Sequence, residues 1–151
     1  MPIRGAGHIV APYCRIRNSA DQAIPNGAVT LVTFNTDVED PTDMHSTVTN
    51  TGRVTIAMPG IYSIVGNFCY EPNATGTRAM YIELNAVTNL AESHVPVNSA
   101  SYYTMFNIAD IIRLAAGDYV SLYTYQNSGG NLNSKSFGSN LPHLVVVWLS
   151  P

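Results

Sequence analysis

Along most of the chain, apolar and polar residues alternate with the period of a β-strand, in short runs broken by clusters of Gly, Pro, Asn and Asp. Tyr13–Arg17 reads as a first strand. Ala28–Phe34 reads as a second, with Val29, Leu31 and Thr33 on one face. Arg53–Met58 alternates Val54, Ile56 and Met58 against Arg53, Thr55 and Ala57, and Pro59-Gly60 then turns the chain. In the long run Ile61–Tyr70, one face carries Tyr62, Ile64, Gly66, Phe68 and Tyr70, and the other carries Ile61, Ser63, Val65, Asn67 and Cys69. Both faces hold apolar groups, which predicts a central strand covered on both sides. Arg78–Leu84 and Thr88–Val95 follow, separated by Asn85-Ala86; then come Ser101–Ile112, a Gly117-Asp118 turn and Tyr119–Tyr125. Met105–Ala116 is the best helical stretch, but Ile108, Ile111, Ile112 and Leu114 suit a strand ending in a turn about as well. Leu144–Leu149 is apolar throughout, the pattern of a strand buried on both faces and lying mid-sheet. Asn35–Gly52 and Asn127–Asn140 lack periodicity and read as long loops, of the kind that is functional or flexible.

About eight to ten strands with no crossover helix predict antiparallel sheets, because parallel pairing needs long crossovers. An all-β, two-sheet jelly-roll sandwich is the natural architecture. With 151 residues there is room for one such domain, assigned to residues 13–151, preceded by an arm at 1–12 that holds Pro2, Gly5, Gly7 and Pro12.

Composition adds an expectation about partners. Charged residues make up 11% of the chain against 46% hydrophobic ones, far below the roughly 25% charge of an ordinary soluble domain. Either the surface is covered by Asn, Ser and Thr, or much of it is buried against other subunits, where charge is depleted. A net charge of −3 and scattered Lys and Arg leave no basic stripe for nucleic acid. No apolar stretch approaches the ~20 residues that span a bilayer, and Met1–Gly5 lacks the apolar run of an export signal. Cys14 and Cys69 both fall in strand-like apolar runs and read as free, buried thiols.

Candidate chemistry is sparse. Asp37, Glu39, Asp40, Asp43 and His45 cluster in the first long loop, where oxygens suit Ca²⁺ and His45 a transition metal; a solvated loop of Asx-type turns has the same composition. His8, His45, His94 and His143 show no metal-ligand spacing, so neither a metal nor a cofactor is assigned. No Ser sits in a nucleophile elbow and no carboxylates are paired on a defined scaffold, so no catalytic residue is assigned and the chain is read as non-enzymatic. Nine tyrosines are the most notable feature, since tyrosine buries a large apolar area and keeps a polar tip. Tyr62 and Tyr119 read as core residues; Tyr102, Tyr103, Tyr123 and Tyr125 read as interface residues.

Two stretches carry a family resemblance. Arg53–Ile64, with Pro59-Gly60-Ile61-Tyr62, resembles the strand–turn–strand of the complement C1q globular-head family, a branch of the tumour-necrosis-factor-like jelly rolls. Ile64 takes the place of that family's Phe, and Gly66 that of its next aromatic. Leu114–Leu122 resembles the family's Leu-x-x-Gly-Asp-x-Val turn: Gly117 permits a tight reversal, and Asp118 can bond local backbone amides. The resemblance runs from about Tyr13 to Pro151. The wording at Ile24-Pro25-Asn26, Phe34-Asn35-Thr36, Met44-His45-Ser46, Asn73–Gly76 and Tyr125–Gly130 is similar to C1q-like modules encoded by bacteriophages, which are trimeric parts of the virion. That family's fold implies that the first strand and the Cys69 strand flank the last one. Two such strand spacings, roughly 9–10 Å, exceed the Cα separation a disulfide spans.

The resemblance implies a homotrimer mounted on a phage particle as head fibre, decoration protein or tail tip, stabilising the particle or contacting the host surface. Residues 1–12 would attach it to another virion protein, and a host glycan is a further partner. Nucleic acid and membrane insertion are not expected. The rival reading is a soluble sugar-binding module that uses the two long loops, with Asp37, Asp40, Asp43, His45, Asn131 and Asn133 as binding residues.

Overall fold

A computed structural model describes residues 10–97, 99–136 and 142–151; residues 1–9 of the expected arm at 1–12 and the second loop's residues 137–140 lie outside these. The described residues form twelve strands and no helix. In chain order they are β1 (Tyr13–Arg17), β2 (Ala23–Ile24), β3 (Thr30–Leu31), β4 (Thr36–Glu39), β5 (Arg53–Thr55) and β6 (Gly60–Tyr70). There follow β7 (Thr77–Leu84), β8 (Thr88–Pro96), β9 (Thr104–Leu114), β10 (Tyr119–Gln126), β11 (Leu132–Asn133) and β12 (His143–Ser150).

All pairing is antiparallel. One sheet has the order β4-β1-β12-β6-β9; the other runs β3-β10-β7-β8, with β5 pairing the same strand, β10, as β3 does. A short third ladder joins β11 to β2. The last strand therefore lies mid-sheet, between the first strand and β6, as its composition and the family fold predict. The sandwich core comes from alternate residues of the facing sheets: Ile16, Tyr62, Ile64, Phe68 and Val146 from one, and Val54, Met80, Ile82, Val120 and Leu122 from the other. Gly66 lies between them. A Cβ there would stand 2.6 Å from Leu122 and 2.9 Å from Met80, so the two sheets fill the space an aromatic would take.

Register separates the thiols. Cys14 stands opposite Val146, which stands opposite Ile64, whereas Cys69 is five positions further along β6. The two are thus apart along the strands as well as across them, and both are free and buried. Burial pushes the Cys69 thiol up to about 11 and the Cys14 thiol higher still.

Several sequence expectations change. The run Ala28–Phe34 is not a continuous strand: only Thr30 and Leu31 pair, and the buried residues are Val32 and Phe34, while Val29 and Leu31 are exposed. The inward face is the opposite one. The loop Asn35–Gly52 contains β4, which extends the first sheet beside β1, and Asn127–Asn140 contains β11. Met105–Ala116 resolves as strand, because β9 pairs along its whole length with β6. Asn85 and Ala86, with φ of 55° at both, form a tight reversal closed by Val87 N–H donating to Leu84 C=O at 3.1 Å.

Candidate functional site

Among the described residues, the expectation that β6 and β12 are covered on both faces is not met. Their inner residues are buried, but Val65, Val145 and Val147 on the outer face are only half-buried, and Ile111 beside them on β9 is 64% exposed. The ladders set these side chains side by side. Tyr13, Val147, Ser63 and Ile111 form one cross-strand row, and Arg15, Val145, Val65 and Ala109 the next. The result is an apolar field across four strands. It is bordered by Arg15 opposite Glu39 on one side and by Arg113, which donates to Pro151 C=O at 3.2 Å, on the other. Tyr13 also meets Glu39, whose hydrogen bond raises the phenol.

The adjoining row carries Arg17, His143, Asn67 and Asn107. Here Asn67 is 8% exposed, and neither its Oδ1 nor the Arg17 Nε has a hydrogen-bond partner among the described residues. A buried polar atom left in this state costs about 1–3 kcal/mol. An apolar centre, a polar rim and unspent polar atoms together have the anatomy of an association face.

The tyrosines assigned to an interface divide between the two sheets. Tyr102 and Tyr103 immediately precede β9 and lie exposed beside Met105, on the edge of the apolar field. Tyr123 and Tyr125 are on the outer surface of the other sheet, where Tyr81 and Tyr119 join them. Tyr119 is accordingly not a core residue, because its position in β10 points it away from Val120 and Leu122. Tyr62 is core, fully buried, with its hydroxyl donating to Met58 C=O at 2.6 Å.

The loop residues assigned to binding are largely occupied in folding. The His45 side chain is fully buried; its Nδ1 lies 2.5 Å from Asp37 Oδ1, and its Nε2 3.1 Å from Thr51 C=O. Asp40 accepts the backbone N–H groups of Met44 and His45 at 2.9 and 2.8 Å. These contacts pin the loop onto Phe34, which meets the His45 ring edge-on. Asp43 stays exposed, at a φ of 54°. In the second loop, Asn133 C=O accepts the Glu71 N–H at 3.0 Å and its own N–H donates to the Glu71 carboxylate at 2.8 Å; Asn131 is exposed, while buried Gln126 holds the loop through Ile24 C=O, Gly130 C=O and Ser128 N–H. Among the described residues the two loops are not brought together. The first returns to β10 at Tyr119–Ser121, through Arg53–Thr55, and the second leaves it at Gln126. Among the described residues no group of His, Cys, Asp and Glu has metal-binding geometry.

The turn residues behave as their spacing predicts. Gly117 takes a φ of 91°, and Asp118 accepts the Ala115 N–H at 2.8 Å. Gly60 has a φ of 156°, and a Cβ on it would stand 2.2 Å from Trp148 Nε1 and 2.4 Å from Ser150 C=O.

No family model and no curated protein matches the sequence. Solved structures do match. The globular domain of zebrafish complement 1qA protein is 18% identical with a TM-score of 0.67, covering 91% of this chain and 97% of that one. Murine APRIL, crystallised at pH 5.0, is 14% identical with a TM-score of 0.69, covering 93% and 100%. The Eiger TNF of S. frugiperda is 17% identical with a TM-score of 0.66, covering 93% of each chain. At these identities the likeness is one of fold, and the fold is the C1q/TNF-like jelly roll.

Proposed function

We propose that this chain is a non-enzymatic jelly-roll module that works as a homotrimer, mounted on a phage particle where it stabilises the particle or contacts the host surface. The observation that carries the self-association is the outer face of β1, β12, β6 and β9, with Val65, Ala109, Ile111, Val145 and Val147 left uncovered by the described residues. Packing a neighbouring copy there removes apolar area from water at about 25 cal/mol per Å² and supplies groups for Asn67 and Arg17. Tyr102 and Tyr103 join its edge. Tyr123 and Tyr125, on the opposite side of the sandwich, are left for another contact.

The particle setting rests on the wording shared with phage-encoded C1q-like modules, and the segment 1–12 is the attachment arm in this reading. Ile111→Asp tests the face. Because Ile111 is already exposed in the single chain, the variant keeps the fold and loses the oligomer, whereas Val87→Asp, at another exposed site, changes neither. An oligomer that survives Ile111→Asp contradicts the proposal. Deleting residues 1–12 leaves the oligomer intact and abolishes incorporation into particles; normal incorporation would remove the arm from the account.

A further inference from the structure

On the far side of the sandwich, β3 and β5 pair with different stretches of the same edge of β10, and a cleft of about 360 Å³ opens between them. Tyr119, Ser121 and Tyr123 form its floor, with Leu31 on one wall and Asn50–Arg53 on the other. The Arg53 guanidinium lies 4.7 Å from the centroid of the Tyr119 ring. A second recess of about 210 Å³ continues past Asn50 and Arg53 to Asp43, Ser46 and Thr49. Asp43, Asn50, Asn85 and Ala86 are the described non-glycine residues with positive φ, and all but Asn85 line one of the two recesses, whose rims are therefore tight turns.

From this lining we infer a binding site for a neutral glycan, one or two hexose rings long, seated on Tyr119 and Tyr123. Sugar rings present C–H faces that lie on aromatic rings, and hydroxyls that exchange hydrogen bonds with amide, hydroxyl and guanidinium groups. This cleft offers both within one volume of ligand-pocket size. The Asn50 and Arg53 side chains line the cleft beside the two tyrosines, and Ser121, between them on the strand, is buried. A purely apolar ligand would leave the Asn50 and Arg53 groups unpaired. An anion would meet Glu83, opposite Ser121 on β7, and Asp43 at the far end.

The site is also preorganised. Tyr119 N–H donates to Asn85 Oδ1 at 2.9 Å, and the Asn85 amide donates to Asp118 at 2.9 Å, so the β7–β8 turn that supplies Ala86 also fixes the floor. The inference gives a chemical class to the surface contact proposed above, and rests on that reading only for its setting, because the cleft is complete within one chain.

The test is a printed array of neutral hexose- and N-acetylhexosamine-terminated oligosaccharides, probed with the purified full chain, followed by calorimetry on the best hit. Tyr119→Ala should weaken binding about tenfold, the scale of one aromatic contact. Asn50→Gly retains the positive φ and removes only the amide, and it should weaken binding several-fold even if Tyr119→Ala folds poorly. Glu92→Ala, on the same sheet surface outside the cleft, should leave affinity unchanged. An array without a hit, selective capture of acidic glycans alone, or binding that survives Asn50→Gly with Tyr119 intact, would overturn the inference. A monomer that binds in the cleft would sink the assembly reading alone, and an oligomer that binds no glycan would sink the cleft alone.

Discussion

The side-chain amide of Asn85 bridges to Asp118: its Nδ2 donates to Asp118 Oδ1 at 2.9 Å, while its Oδ1 accepts the Tyr119 N–H at the same distance. One pair thus ties the β7–β8 reversal to the β9–β10 turn. The bond from Asn85, and then the Ala115 amide, hold the Asp118 carboxyl below its usual value. A group lowered in the folded state stabilises the fold above its unfolded pKa and loses that contribution as pH falls through the folded one. Asp118→Ala should therefore cost roughly 1–2 kcal/mol at neutral pH, for hydrogen bonds to a partly exposed charge. The penalty should shrink in acid below about pH 4. Urea melts of both proteins at pH 7 and pH 3 check this; an equal difference at the two values would contradict it.

Gly60→Ala should be among the most damaging single substitutions outside the core. Its Cβ would fall 2.2 Å from Trp148 Nε1 and 2.4 Å from Ser150 C=O, where β6 and β12 meet. A loss of at least about 2 kcal/mol is expected from the clash and the unfavourable φ. The emission of Trp148, the chain's one tryptophan, should shift with it. A thermal melt followed by fluorescence reads both.

The two thiols should be inert in the folded protein. Cys14 and Cys69 are fully buried, and burial raises both, so little thiolate exists at neutral pH. Iodoacetamide should leave the native chain unlabelled over a period in which the urea-unfolded chain takes two labels, with or without prior reduction. Labelling that needs a reductant would reveal a disulfide.

His45→Ala should loosen the first loop. It removes the partner of Asp37, the contact to Thr51 C=O and a ring packed on Phe34, all beneath a fully buried side chain. About 2–4 kcal/mol is the scale for emptying such a site. Hydrogen exchange at Met44 and His45, whose N–H groups donate to Asp40, should accelerate first.

Strand periodicity made the sandwich legible. β1, β6, β7, β8, β10 and β12 fall within about a residue of their expected ends, because each has a clear inward face. Short strands held by two or three pairs, such as β3, β4 and β11, carry too little pattern to announce themselves. The acidic loop misled for a related reason: composition cannot tell a carboxylate that caps backbone amides, as Asp40 does, from one free to bind a ligand. The face proposed for association was visible only indirectly, in the two-sided apolar pattern of Ile61–Tyr70 and Leu144–Leu149. Read alone, that pattern places a strand in a covered sheet, but it does not say whether the cover belongs to the same chain. The cleft at Tyr119 had no linear signal at all, because Arg53, Asn50 and Tyr123 meet only through the pairing of β3 and β5 with one strand.

The central claim is that the half-exposed valines of β6 and β12 are covered by other copies of this chain. Light scattering on the eluting protein, at low micromolar concentration and physiological salt, measures this directly. The account predicts a mass three times the 16.3 kDa of one chain, and a single 16.3 kDa species that persists as concentration rises would contradict it.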